Sequence, residues 1–172
     1  MGNWCCRSSL ETLLKCSLGN NYAANRFLKA LPAAYYDQQL FDHLQPCLFH
    51  VGDNLFGRDA RSKNVFFLKT GLVSMIMEAA DGVNVEVGLV GHEGVVGAVE
   101  ALTGLPLVCS AQVQLAGSGW RLPTEVFQRA HKSNGALQDV LLRYQHFFGA
   151  QSSYNTFCNR RHTSEQRLNR GC

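Results

Sequence analysis

The sequence predicts an α+β chain: a small closed β-roll flanked by an N-terminal helical segment and a long C-terminal helix. Three observations predict it. Val65-Phe66-Phe67-Leu68, Leu72 to Met77 and Val83-Asn84-Val85-Glu86-Val87 are short runs rich in β-branched and apolar residues, which pack well on a pleated sheet. Asp81-Gly82 separates the last two runs, and that dipeptide favours the positive φ values of a tight hairpin turn. From Leu137 onward apolar residues recur three and four apart, the period of one helix face. Glycines at Gly88, Gly91, Gly94 and Gly97 mark a backbone that bends sharply or lets another element come close.

The bulk properties set limits. A length of 172 residues with 46% hydrophobic content suits one domain with a real core. Charged residues make up only 17% and the net charge is +3. The one basic concentration is Arg160, Arg161, Arg167 and Arg170, so bulk charge does not point to nucleic acid. Seven cysteines (Cys5, Cys6, Cys16, Cys47, Cys109, Cys158 and Cys172) contain no C-x-x-C pair. With no secretory signal, reduced thiols in a cytoplasmic chain are expected. No apolar run reaches the roughly 18–20 residues of a membrane span, so no membrane partner is expected.

Taken in order, residues 1–24 hold two short apolar patches and are expected to form a poorly ordered segment. Gly2 fits a myristoylation start, but Cys6 stands where Ser or Thr is required. Asn25 to Leu44 reads as helical. Asn25 caps a turn that buries Phe27, Leu28 and Leu31, Pro32 interrupts it, and Ala33 to Leu44 places Tyr36, Leu40 and Leu44 on one face. Cys47 to Phe56 supplies the first strand and a turn, and residues 57–64 a solvated charged loop. His43 and His50, with Glu78, Glu86 and Glu93, lack the close pair of histidines that a metal site needs. No metal and no catalytic constellation is assigned. Ser110 to Leu115 alternates as a strand, Gly119 to Pro123 closes the roll, and Thr124 opens a turn. Ser133 or Asn134 then caps the long helix.

TGLVSMIMEAADG, VEVGLVGHEGVVG and CSAQV, in that order, resemble the effector domain of the Crp/Fnr family of bacterial transcription regulators, a cyclic-nucleotide-binding-type double-stranded β-roll (jelly roll). The likeness runs from about Asn25 (NRFLKALPAAYYDQ) to about Leu168 (CNRRHTSEQRL). It divides the chain into a non-family segment at 1–24, the roll at 25–130 and the long helix at 131–172. Some relatives carry an N-terminal iron–sulfur cluster, but adjacent Cys5 and Cys6 make poor co-ligands beside Cys16. No cofactor is assigned.

The resemblance implies a cyclic nucleotide as the ligand type and places the candidate pocket at Glu86, Gly97, Ala98, Glu100, Cys109, Ser110 and Ala111. A phosphate asks for backbone N–H groups at a helix start and for an arginine. Gly97 and Ser110-Ala111 match the family cassette, but Ala98 replaces its glutamate and Cys109 its arginine. Glu100 could stand in for the first. No arginine lies between Arg61 and Arg121 to replace the second. Losing a charge-assisted partner of a buried phosphate costs about 2–5 kcal/mol, roughly thirty-fold or more in affinity. Tight cyclic AMP or cyclic GMP binding is therefore not expected, and any small-molecule effector stays unidentified. Cys109 is either a small buried hydrophobe or a reactive thiol.

Leu137, Val140, Tyr144, Phe147, Gln151, Tyr154 and Cys158 form the expected seam. The resemblance favours a parallel dimer there, a homodimer or a heterodimer with a full-length relative. Relatives continue into a winged helix-turn-helix. The expectation is thus a regulator truncated before its DNA-binding domain, with no specific DNA binding of its own. A stand-alone module that heterodimerises with full-length relatives is the alternative, and a cupin-type metalloenzyme a weaker one.

Overall fold

The structure is a computed structural model that describes residues 22–32, 40–57, 62–78, 82–105, 109–133 and 135–161. Eight strands are present among them: β1 (Gln45–Phe49), β2 (Asn54–Phe56), β3 (Asn64–Leu68), β4 (Leu72–Glu78), β5 (Asn84–Val90), β6 (Val95–Val96), β7 (Ser110–Leu115) and β8 (Gly117–Pro123). They form two antiparallel four-stranded sheets, ordered β1-β8-β3-β6 and β2-β7-β4-β5. The helices are α1 (Arg26–Lys29), α2 (Ala98–Thr103), α3 (Thr124–Ser133) and α4 (Gly135–Arg161).

Alternation along the strands creates two cores. Phe49, Phe66, Leu68, Val73, Met75, Ala111 and Val113 meet between the sheets. On the other face of the first sheet, Val65, Phe67, Trp120 and Leu122 pack under α1, α2, α3 and the start of α4, against Phe27, Leu28, Ala98, Phe127 and Leu137. The first sheet is thus covered on both faces. That is why β3 reads as an unbroken apolar run, whereas β7 alternates. The Asp81-Gly82 signal holds: β4 and β5 pair as a hairpin closing at Glu78 and Asn84, with Gly82 at φ +81°. A bulge at Met75–Ile76 kinks that pair.

The N-terminal region departs from the expected pair of helices. Asn25 does cap α1, accepting from Leu28 N–H at 2.9 Å. Residues 33–39 of the second expected helix lie outside the described residues, and its end is a single 3₁₀ turn, Phe41–His43. Leu40, Phe41 and Leu44 are buried there all the same. Pro46 disfavours helix at Gln45, and β1 begins at Gln45, ahead of the expected Cys47.

The seven seam residues divide between two faces of the long helix. Leu137 is buried in the chain's own helix-side core, with Val140 and Tyr144 packed against it. Phe147 and Tyr154 face solvent, at 56% and 70% exposure. Gln151 is half-buried and Cys158 is buried. The seven residues therefore do not form one outward stripe. The inward face of α4 runs through Leu137, Leu141, Tyr144 and Phe148. The exposed face runs through Phe147, Ala150, Tyr154 and Phe157, in steps of three and four. Two apolar stripes share the helix, and spacing alone averages them. Among the described residues no helix is long and apolar enough to cross a membrane.

One buried polar side chain ties the layers together. Asn25 is fully buried; besides capping α1, its Nδ2 donates to Leu68 O and to Gly94 O, each at 2.9 Å. Asn25→Ala would strand two buried carbonyls and remove the cap, and is expected to cost about 3 kcal/mol in urea unfolding. Asn25→Asp keeps a cap acceptor but loses both donors. It is expected to be destabilised too, whereas a purely capping Asn25 would tolerate it.

Candidate functional site

The site forms where α4 crosses β5 and the turn after it. Glycine makes that approach possible at two places. A Cβ on Gly88 would lie 2.6 Å from Phe148 Cζ, and one on Gly94 would lie 2.5 Å from Tyr144 Oη. The two rings lie 6.2 Å apart, and Tyr144 also meets Phe27 edge-on at 5.7 Å. Phe148, Val87 and Cys109 pack together against the core between the sheets. Tyr144 and Phe148, four residues apart on one face of α4, thus seat the helix on β5 and the turn after it.

Gly97 turns the chain into α2 at φ +82°, in the left-handed region that favours glycine. Space is short there as well, since an added Cβ would stand 3.2 Å from Phe56 and 3.3 Å from Asn64 O. Ala98 follows and is buried in the helix-side core. Glu100, two residues on, is half-buried, and its carboxylate accepts a hydrogen bond from its own backbone N–H in the first turn of α2. An N–H that could serve an incoming anion therefore already holds a carboxylate of this chain. Burial pushes the Glu100 carboxyl above its ordinary range, and that hydrogen bond offsets only part of the rise.

Cys109 and Tyr144 share this environment. Burial first, and then the negative charge of Glu100, raises the Cys109 thiol. It is thereby held as a protonated, poorly nucleophilic SH, the reverse of an activated thiol. Burial also raises Tyr144, which receives a backbone hydrogen bond from Val95 and faces the charges of Glu93 and Glu100. Glu93 is itself fixed, accepting from Gly91 N–H at 2.7 Å. The charges that raise Cys109 and Tyr144 are carboxylates, Glu100 for both and Glu93 for Tyr144. Ser152, one further turn along α4, has a buried hydroxyl with no hydrogen-bond partner, and this oxygen would be 3.3 Å from a Cβ on Gly88.

The other expected site residues lie elsewhere. Ala111 is buried between the sheets. Ser110 and Glu86 belong to the outer face of the second sheet. Ser110 Oγ donates to Ile76 O at 3.4 Å, and Glu86 accepts from Ser74 Oγ. A shallow polar cleft of ≈ 300 Å³ runs over that face beside Ser110, Gln112, Asn54 and Asn84. Of the seven expected residues, Glu100 and Cys109 share an environment with Glu93 and Tyr144, while Gly97 packs against Phe56 and Asn64 and the α4 residues Phe148 and Ser152 lie against Gly88. The signal for the α4 residues lay in the sequence: Tyr144, Phe148 and Ser152 repeat every four residues, opposite glycines six apart. His43 and His50 lie elsewhere: His43 ends a 3₁₀ turn, and His50 Nδ1 faces Asp53 Oδ2 at 3.3 Å.

Residues 47–134, just over half of the chain, match the family model described as cyclic nucleotide-binding domain. No curated protein matches the sequence. Among solved structures, the chain is similar to the regulatory subunit of a cAMP-independent protein kinase A from Trypanosoma cruzi, bound to guanosine. The TM-score is 0.64 at 20% identity, over 86% of this chain and 51% of that one. A protein assigned as a cAMP-binding regulator from Silicibacter pomeroyi DSS-3 gives 0.61 at 17% identity, over 84% and 66%. The c-di-GMP responsive global regulator CLP of Xanthomonas campestris gives 0.52 at 17% identity, over 75% and 61%. The chain spans between half and two thirds of the length of these structures, and at such identities the likeness establishes the fold.

Because the Glu100 carboxyl is raised, the folded chain binds its proton more tightly than the unfolded chain does. Stability from this group is present below the ordinary value of 4.5 and falls as pH rises through the raised folded value. Glu100→Gln, which keeps the hydrogen-bond acceptor, is therefore expected to melt above the parent at pH 7. The gap should close below about pH 4.5, as read by thermal unfolding across pH.

Proposed function

The chain belongs to the cyclic nucleotide-binding domain family, and we propose that it is the effector-sensing module of a Crp/Fnr-like transcription regulator tuned away from cyclic mononucleotides. The observation that carries this reading is Glu100. Its carboxylate stands in the first turn of α2, next to a protonated Cys109 where the family cassette has an arginine. A cyclic phosphate arriving there meets a negative charge and an occupied backbone donor, with a thiol at the position of the family's guanidinium. Two neighbours are consistent with a roll that serves other effectors: one is a c-di-GMP responsive global regulator, and the other is cAMP-independent and bound to guanosine.

The mechanism is a population shift carried by α4. Its inward face sits on the roll through Tyr144 and Phe148, while Phe147, Ala150, Tyr154 and Phe157 point outward on the same rigid rod. An effector that repositions the inward pair must move the outward stripe with it. That stripe, in place of the seam read from spacing, is the pairing surface, and its partner is a second copy or a longer relative. The exposed aromatic residues also favour a second reading, a stand-alone interaction module that acts by heterodimerising. In either reading the chain is regulatory, without a reaction of its own, and works in the cytoplasm.

Isothermal titration of the whole chain with cyclic AMP, cyclic GMP and cyclic di-GMP, with its mass in solution recorded alongside, tests the proposal. The expected result is a dimer that binds neither cyclic mononucleotide at micromolar concentration. Pairing C109R with E100Q should raise cyclic AMP affinity by about thirty-fold or more. Phe147→Glu should halve the mass. Micromolar binding of cyclic AMP by the parent chain would overturn the reading.

A further inference from the structure

The second sheet carries a polar surface on the face turned away from the core. Ala111 packs between the sheets, so its neighbours Ser110 and Gln112 face outward. Strand register sets Asn54 beside Gln112, Ser110 beside Ile76 and Glu78 beside Asn84. These residues line one shallow cleft of ≈ 300 Å³, which crosses all four strands, β2, β7, β4 and β5. Three strand spacings give it a span of about 14 Å. The carboxamides of Asn54, Asn84 and Gln112 make no hydrogen bond to any described residue. Each therefore offers two donors and an acceptor to whatever enters. Ser110 Oγ adds a hydroxyl whose bond to Ile76 O is long, at 3.4 Å, and half-buried Ile76 puts an apolar spot on the floor.

We propose that this cleft binds a neutral saccharide of two rings, its hydroxyls against Asn54, Asn84 and Gln112 and one C–H face against Ile76. The lining selects by its chemistry. A carboxamide donates and accepts at once, and so does a hydroxyl, whereas an anion asks only for donors and a cation only for acceptors. Among the described residues of the lining, Glu78 carries the only charge. Its carboxylate disfavours an anion and accepts from a hydroxyl. A single aliphatic side chain suits the C–H face of a sugar ring, while a flat aromatic ligand would ask for an aromatic partner. The cleft also runs across the strands rather than along a free edge. An extended peptide that adds to a sheet needs the backbone groups of an edge, and a compact ring ligand does not. The volume stands at the lower end for small-molecule sites, which run to about 1,000 Å³.

The test is amide-resolved nuclear magnetic resonance of the full chain, titrated with maltose, cellobiose and lactose. At least one of the three is expected to bind with a Kd of about 1 mM. It should move the side-chain amide signals of Asn54, Asn84 and Gln112 and the backbone amides of Ile76 and Ser110, while those of Gly94 and Glu100 stay still. Asn54→Ala and Gln112→Ala should each weaken binding about fivefold. Both should leave the urea midpoint unchanged, since neither side chain bonds to the fold. Glucose 6-phosphate should move the same signals less than glucose does, because Glu78 opposes its charge. If none of the three disaccharides moves the cleft signals, the proposal falls. It falls too if the shifts survive unchanged in both variants, or if a capped pentaalanine peptide moves the cleft signals and the sugars do not, which would make the cleft a peptide groove. Cyclic AMP added to the same sample and read at Glu100 tests the sensor reading separately.

Discussion

The structure depends on the contact between α4 and the glycine-bearing backbone of β5 and the turn after it. Gly88 and Gly94 lack the atoms that Phe148 Cζ and Tyr144 Oη displace, at 2.6 and 2.5 Å from where a Cβ would stand. Neither aromatic could sit so low against a backbone bearing side chains, because interiors this dense do not yield by a full van der Waals overlap. Gly94 is fixed from the opposite side too: Asn25 Nδ2 donates to its carbonyl, and Arg26 N–H donates to His92 O at 2.8 Å. The turn between β5 and β6 is held between the N-terminal helix and the long C-terminal one, so both ends of the described chain converge on one point.

That convergence gives the site its chemistry. Cys109, Glu100 and Tyr144 are withdrawn from water, and all three ionisations are raised. A carboxylate in such a place is costly unless hydrogen-bonded, and Glu100 uses its own amide for that purpose. The same device removes the donor that an outside anion would need. The missing arginine and the inward glutamate are thus parts of one arrangement, and both oppose a bound phosphate.

Much of the fold was legible because local and long-range signals agree here. The β4–β5 hairpin followed from Asp81-Gly82, the α1 cap from Asn25, and the glycine spacing signalled a close approach that turned out to be α4. The site was less legible for a physical reason. Which side of the β-strands faces the interior depends on register, and the bulge at Met75–Ile76 shifts it. Glu86 consequently lies on the outer face, where Ser110, next to inward Ala111, also points. The helix seam divides for a different reason. Leu137 and Tyr144 belong to one stripe and Phe147 and Tyr154 to another, and a three-and-four spacing fits a line drawn between them. Only the partner, here the chain's own roll, decides which stripe is buried.

The most direct measurement of the central claim is a pH titration followed by nuclear magnetic resonance of the Glu100 side-chain carboxyl carbon and its backbone amide. The account predicts that both titrate together, with a midpoint above the ordinary carboxylate value of 4.5, and that added cyclic AMP leaves the amide unmoved at neutral pH. An amide indifferent to the carboxyl titration, or one that shifts on adding cyclic AMP, would mean that the start of α2 is free to take an anion and would contradict the account.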